Sequence, residues 1–142
     1  MTTVAIKEGV IAYDGRETLG PTIIRDDVDK KIKHRGRQFI LCGNVDQYVP
    51  FMNACIDGGS DKDFQCSGLM IEDGVVYEVF ASAVPCEYEG HPLALGSGAD
   101  HALTSMDLGL SAKEAVMMSA KRDVNTGGKI RTFKVNRKNK VT

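Results

Sequence analysis

The chain has 142 residues, 42% apolar and 26% charged, which fits one globular domain with room for a core. It has no tryptophan and 6% aromatic residues, which argues against a base-stacking platform for nucleic acid, and no apolar run approaches the length of a bilayer span. The net charge of −1 is uneven: residues 129–142 hold six basic and no acidic side chains, so the preceding 128 residues carry −7. A basic end of this kind suits an acidic or nucleic-acid partner, or, as we read it, a closing strand and a solvated end. Cys42, Cys55, Cys66 and Cys86 show no CxxC spacing, so neither a metal nor a redox motif is expected. Residues 1–10 lack the charged-then-apolar pattern of a signal peptide, and reduced thiols in a cytoplasmic protein are the expectation.

In chain order, Thr3–Ile6 and Val10–Tyr13 read as strands around a Glu8-Gly9 turn, followed by a loop punctuated by Leu19-Gly20-Pro21. Val28–Ile32 reads as a strand whose alternation places Val28, Lys30 and Ile32 on one face. Phe39–Cys42 is a continuous apolar run, as in a strand covered on both faces. Asn44–Ile56 predicts a short helix, provided that Pro50 falls in its first turn. Leu69–Ile71 and Val75–Val79 flank Asp73-Gly74, a hairpin signal. Leu93–Leu95 is a strand leading through Gly96-Ser97-Gly98 into a helix with Ala99, Ala102, Leu103 and Met106 at helical spacing. Ser111 opens a last helix with a capping box to Glu114, and its stripe of Ala112, Ala115, Val116, Ser119 and Ala120 runs on to Asp123. Met117-Met118 reads as core and interface packing. Ile130–Val135 closes the chain as a strand, giving an α+β layout.

The chemistry begins at Met1-Thr2-Thr3. Removal of Met1 leaves Thr2 with a hydroxyl beside a free α-amine, whose reference pKa of roughly 7.7–8.0 keeps a neutral fraction near pH 7. Threonine with its own amine is a nucleophile–base pair, and a nearby cation would favour the free base. Many chains begin Met-Thr, so this signal is weak alone.

Further residues turn it into a resemblance. Thr2-Thr3-Val4-Ala5-Ile6, then Gly9-Val10-Ile11-Ala12-Tyr13-Asp14-Gly15-Arg16 and Thr18-Leu19-Gly20, are followed by Gly43 after the apolar strand, Gly96-Ser97-Gly98, and Arg122-Asp123-Val124-Asn125-Thr126-Gly127-Gly128. In this order the chain resembles proteasome β-type subunits and the bacterial HslV-type peptidases, with threonine at 126 where the family has serine. The resemblance spans residues 2 to about 133. The family's catalytic lysine lies sixteen residues after its aspartate, which selects Lys30; Lys31 competes, because the family often has Lys-Lys-apolar with the second lysine catalytic.

The resemblance implies one N-terminal-nucleophile hydrolase domain over residues 1–142, an αββα sandwich. It implies that Thr2 Oγ attacks a peptide carbonyl, that Lys30 tunes it and that Asp14 pairs with the lysine. Ser97, Asp123 and Thr126 would hold the amine, and the Gly43 N–H would bind the oxyanion. Val28, Ile32, Leu41 and Val45 would line an apolar S1 pocket with Glu17 at its rim. No cofactor or metal is implied. A peptide or unfolded-protein substrate is implied, with a homo-oligomeric ring, an unfoldase ATPase partner, and neither membrane nor nucleic acid. His34, His91 and His101 match no family site. The sequence departs from the family between Asn44 and Gln65, where one helix is short and another absent, so the expectation is a reduced helical layer.

Each site residue also has a plain structural reading: an Asp14–Lys30 ion pair, Ser97 as a helix cap, Asp123 as a satisfied buried carboxylate. The competing functions are a non-catalytic ring or scaffold protein, an N-terminal-nucleophile amidase acting on a small molecule, and nucleic-acid binding through the basic end.

Overall fold

A computed structural model describes residues 1–135, so Arg137, Lys138 and Lys140 of the basic end lie outside the described residues. The strands are β1 (Thr3–Lys7), β2 (Val10–Tyr13), β3 (Glu17–Leu19), β4 (Thr22–Arg25), β5 (Lys31–His34), β6 (Arg37–Gly43), β7 (Cys66–Glu72), β8 (Val75–Val79), β9 (Cys86–Glu87), β10 (Leu93–Gly96) and β11 (Arg131–Lys134). The helices are α1 (Tyr48–Ile56), α2 (Ala99–Asp107) and α3 (Ala112–Arg122), and a 3-10 turn at Val45–Gln47 precedes α1. The described residues form two compact units, one of residues 1–30 with 90–135 and one of residues 31–89.

The first unit is built on an antiparallel sheet of order β10-β1-β2-β11. Glu8 and Gly9 both have positive φ, 53° and 77°, the geometry of a two-residue turn whose twist matches the strands it joins. Val4, Ala5 and Ile6 are all buried, which suits an inner strand covered on both faces. Ala5, Ala12 and Ala94 are small, and Ala102, Met106, Ala112, Ala115 and Val116 of α2 and α3 pack against them. The capping box forms: Glu114 N donates to Ser111 Oγ at 3.1 Å and Ser111 N to Glu114 Oε1 at 2.9 Å. Contacts to Ser111 hold the Glu114 carboxyl below its ordinary value, and the box satisfies two N–H groups that the helix start would otherwise leave unpaired.

The second unit is a five-stranded antiparallel sheet, β5-β6-β7-β8-β9. Phe39, Leu41, Met70 and Val79 of this sheet cluster with Phe51, Met52 and Cys55 of α1. Pro50 falls in the first turn of α1, where a missing N–H leaves no bond unmade. Asp73 and Gly74 form the hairpin turn with φ of 51° and 80°. This unit has a single α-helix, nine residues long.

Four expectations are corrected. Residues 27–30 are not strand; only Lys31–His34 joins the sheet, because the backbone before it bonds to loops and side chains instead of a ladder. The loop expected after Asp14 contains the hairpin β3–β4, turned at Gly20-Pro21 and tied by Arg25 Nε to Glu17 Oε1 at 3.0 Å. Leu103 lies at helical spacing with Ala102 and Met106 yet faces outward, and Met117 and Met118 are exposed rather than core, because the buried stripe of α3 is Ala112, Ala115, Val116 and Ser119.

Candidate active site

Thr2 precedes the inner strand β1 and is 6% exposed. Its carbonyl accepts from Ser97 N at 3.2 Å, which carries the β1–β10 pairing past the last ladder residue. Asp14 follows β2, fully buried beside the start of β1. One of its oxygens, Oδ1, accepts from Thr3 N at 3.0 Å and from Lys30 Nζ at 2.8 Å. The other, Oδ2, accepts from Arg16 N at 3.3 Å and Gly127 N at 3.2 Å. Four N–H donors thus compensate the burial of one carboxylate.

Lys30, whose side chain is 10% exposed, makes a second bond, from Nζ to the Met1 carbonyl oxygen at 2.6 Å. The ammonium therefore touches both Asp14 and the peptide group that joins Met1 to Thr2. Lys31 begins β5 in the second unit.

A second network meets the first at Thr3. Gly98 N donates to Thr3 Oγ1 at 2.9 Å, Thr3 Oγ1 and Thr126 Oγ1 lie 2.7 Å apart, and Thr126 Oγ1 donates to Asp123 Oδ2 at 2.7 Å. The Thr126 hydroxyl has one proton and spends it on Asp123, so Thr3 is the donor between the two threonines. Ser97 also bonds to Asp123, and Asn125 N donates to its Oδ1 at 3.1 Å. Burial opposes the charge on Asp123, but the bonds from Ser97, Thr126 and Asn125, with His101 nearby, outweigh it and hold the carboxyl below its ordinary value. The network needs Gly98: a Cβ there would lie 2.9 Å from Thr3 Oγ1, Thr126 Oγ1 and Ser119 Cβ.

Residues to which the sequence assigned no part complete the frame. Arg16 binds Asp26 through Nε at 2.8 Å and Nη2 at 3.2 Å and donates from Nη1 to the Val124 carbonyl at 3.1 Å, so it clasps the 124–128 turn. The same bond holds the exposed Asp26 carboxyl below its ordinary value. Tyr13 Oη donates to Asp29 Oδ1 at 2.7 Å, and burial followed by this bond raises the phenol well above its ordinary value. Of these, Tyr13 and Arg16 carried a signal, their place inside the Gly9–Arg16 motif.

Of the other predicted residues, Val28 lies in the first unit. Gly43 ends β6 in the second with φ of 112°, and a Cβ there would collide with the Gln65 carbonyl. Ile32 and Leu41 pack in the second unit's core, and Val45 is exposed. Glu17 is an exposed partner of Arg25. An alternative nucleophile is disfavoured at Cys55, where burial pushes the thiol up to about 12. Among the described residues no three His, Cys, Asp or Glu side chains are grouped to hold a metal, and no helix is long and apolar enough to cross a membrane.

Known structures share this fold. A Thiobacillus denitrificans protein named BPH superposes with a TM-score of 0.70 at 16% identity, over 96% of this chain and 98% of that one. The same protein in complex with epoxomicin gives 0.69 at 16% identity, over 95% and 98%. Eukaryotic HslV from Trypanosoma brucei gives 0.66 at 13% identity, over 94% and 98%. The chain has an HslV-like fold. No family model matches the sequence, and no curated protein does. At these identities the likeness reaches the HslV-like fold and leaves the chemistry to the side chains.

Proposed function

We propose that the chain is a threonine-type endopeptidase subunit whose nucleophile is Thr2 Oγ once Met1 has been removed. The observation that carries this reading is the position of Lys30 Nζ, bonded to the buried Asp14 at 2.8 Å and to the carbonyl of the Met1–Thr2 peptide at 2.6 Å. The hydroxyl chain from Thr3 through Thr126 to Asp123 adds a second fixed frame at the next residue. The HslV-like fold supports the same reading, as does the epoxomicin complex of one structural neighbour.

In the proposed reaction the Thr2 amine accepts the Thr2 hydroxyl proton as Oγ bonds to the substrate carbonyl carbon. The ammonium so formed returns that proton to the leaving amine as the C–N bond breaks, leaving an ester on Thr2. Water then cleaves the ester by the same exchange, releasing the acid and restoring the hydroxyl. Lys30, charged and held by Asp14, favours the neutral form of the amine and the developing negative charge on Oγ. Ser97, Asp123 and Thr126 orient the N-terminus. By the family resemblance the Gly43 N–H receives the oxyanion, a role worth about 2.7–4 kcal/mol in comparable sites. The same resemblance gives Val28, Ile32, Leu41 and Val45 as an apolar S1 lining, an αββα sandwich with a thin helical layer, an oligomeric ring and an unfoldase partner.

The test is intact mass after incubation with epoxomicin, on wild type and on Thr2→Ala. The expected result is a wild type lacking Met1 that gains one adduct, and a variant that gains none. A wild type lacking Met1 that stays unmodified would favour the scaffold or small-molecule amidase reading. If Met1 is retained, a preparation with a cleavable leader ending immediately before Thr2 repeats the measurement.

A further inference from the structure

Lys30 sits at the end of a stretch without regular structure, yet its ammonium must hold a defined place. Residues 27–30 belong to no strand, so their backbone groups need partners elsewhere. Val28 N donates to the Gly15 carbonyl at 3.0 Å, and Lys129 N donates to the Asp26 carbonyl at 2.6 Å. The next two carbonyls are met by one side chain. Arg131 donates from Nη2 to the Asp27 carbonyl at 3.0 Å and from Nη1 to the Val28 carbonyl at 2.8 Å. Its Nε lies 4.0 Å from Asp29 Oδ2, and the other Asp29 oxygen takes the Tyr13 hydroxyl at 2.7 Å. Arg131 and Tyr13 are paired residues of β11 and β2, and Asp14, the partner of Lys30, follows Tyr13 directly.

We propose that Arg131 is a positioning residue for Lys30, gripping the carbonyls two and three residues before it so that Nζ reaches Asp14 and the N-terminal residues together. The proposal deepens the peptidase reading and rests on it for its catalytic consequence. The grip depends on a planar fork with several fixed N–H groups; lysine brings the same charge as a single point and cannot span two carbonyls in one geometry. Tyr13 secures the same segment through Asp29 but touches neither carbonyl, so it is the weaker of the two holds.

The experiment uses the full chain as wild type, Arg131→Gln, Arg131→Lys and Tyr13→Phe. Each is tested well below its melting temperature, with circular dichroism confirming the fold. Two readouts are taken. The first is the acetylation rate of Lys30 by acetic anhydride, from peptide mass spectrometry, with exposed Lys121 as the internal reference. The second is inactivation by epoxomicin, resolved into a maximal rate and a half-saturating concentration.

A displaced Lys30 is expected to acetylate several-fold faster in Arg131→Gln, with a smaller rise in Tyr13→Phe. The maximal inactivation rate is expected to fall about ten- to a hundred-fold, the scale of a reacting group misplaced by an ångström, while the half-saturating concentration changes little. Arg131→Lys should recover only a small part of either effect. If Arg131 merely ties β11 to the unit, the melting temperature will fall while Lys30 acetylation and the maximal rate stay at wild-type values, and the proposal is overturned. Should Arg131→Gln fail to fold, Arg131→Lys takes its place and the same two outcomes decide. A wild type that never reacts with epoxomicin, combined with the expected change in acetylation, removes the peptidase reading and leaves the grip on Lys30 standing.

Discussion

Lys30 Nζ lies 2.6 Å from the carbonyl oxygen of Met1, so the cation rests on the one peptide group that keeps Thr2 from having a free amine. Loss of Met1 takes that acceptor away and returns one ammonium proton of Lys30 to the space around Thr2. With Met1 in place the bond satisfies a largely buried ammonium. With Met1 gone, that N–H needs another partner, whereas the bond to Asp14 is unchanged.

Asp14 carries the first prediction. Thr3 N, Arg16 N, Gly127 N and Lys30 Nζ all donate to it. Asp14→Ala removes every acceptor at once and leaves Lys30 largely buried without its counter-charge. A loss of about 3–5 kcal/mol is expected, as for removal of one partner of a buried pair. Urea unfolding followed by circular dichroism measures it. A loss below about 1 kcal/mol, the scale of an exposed pair, would show that water replaces the carboxylate freely.

Thr126 separates two features of one side chain. Thr126→Val keeps the shape but strips the hydroxyl, leaving the Thr3 hydroxyl only the longer 3.5 Å contact with Ser97 Oγ and Asp123 Oδ2 one donor short. The expected cost is about 1–3 kcal/mol. Thr126→Ser keeps the bond to Asp123 and opens a methyl-sized gap, at about 1 kcal/mol. Comparing the two denaturation midpoints tests this, and equal losses would exclude the hydroxyl as the source.

Gly98 is a contact prediction. Its Cβ position is 2.9 Å from three atoms, two of them the hydroxyl oxygens of Thr3 and Thr126. Gly98→Ala should therefore destabilise by about 1–3 kcal/mol as an overpacked site, and should slow Thr2 modification by epoxomicin at temperatures where the variant is folded. Thermal melting and the adduct rate together check it.

The depressed Asp123 carboxyl sets a pH prediction. A group whose value is lower in the folded chain binds its proton more readily when unfolded. Its contribution is therefore complete above the unfolded aspartate value of about 3.9 and is lost as pH falls through that value towards the folded one. Stability of wild type minus that of Asp123→Asn should be flat from neutrality to about pH 5 and should shrink below about pH 4. A difference that instead grew on acidification would mean that the carboxyl is raised.

Parts of this fold were legible because local chemistry and tertiary packing agree there. The Glu8-Gly9 and Asp73-Gly74 turns, the apolar β6 and the Ser111–Glu114 box each specify one conformation within a few residues. The hairpin β3–β4 was not legible: Thr22 to Arg25 are all exposed, so no alternation of burial marks the strand. Val28 to Lys30 misled for the opposite reason. Their alternation suits a strand, yet side-chain donors from distant β11 take the carbonyls a ladder would need. Leu103 shows that helical spacing alone does not fix which face is buried when the stripe beside it is made of alanines. In the candidate site, the residues in short motifs could be named from the sequence, whereas Asp29 and Arg131, and the contact that Tyr13 makes, owe their place to a β2–β11 register that no local pattern encodes.

The run of bonds from Gly98 through Thr3 and Thr126 to Asp123 has a polarity. It begins at an amide, which can only give a proton, and ends at a carboxylate, which can only take one. Along the row each hydroxyl accepts on one side and donates on the other, and Ser97 Oγ stands 3.5 Å from Thr3 Oγ1 as a side branch. Turning the Thr3 hydroxyl towards Gly98 would set it against the Gly98 N–H, donor facing donor. The row thus has a head and a tail, and it anchors the residue after Thr2 to the end of α3.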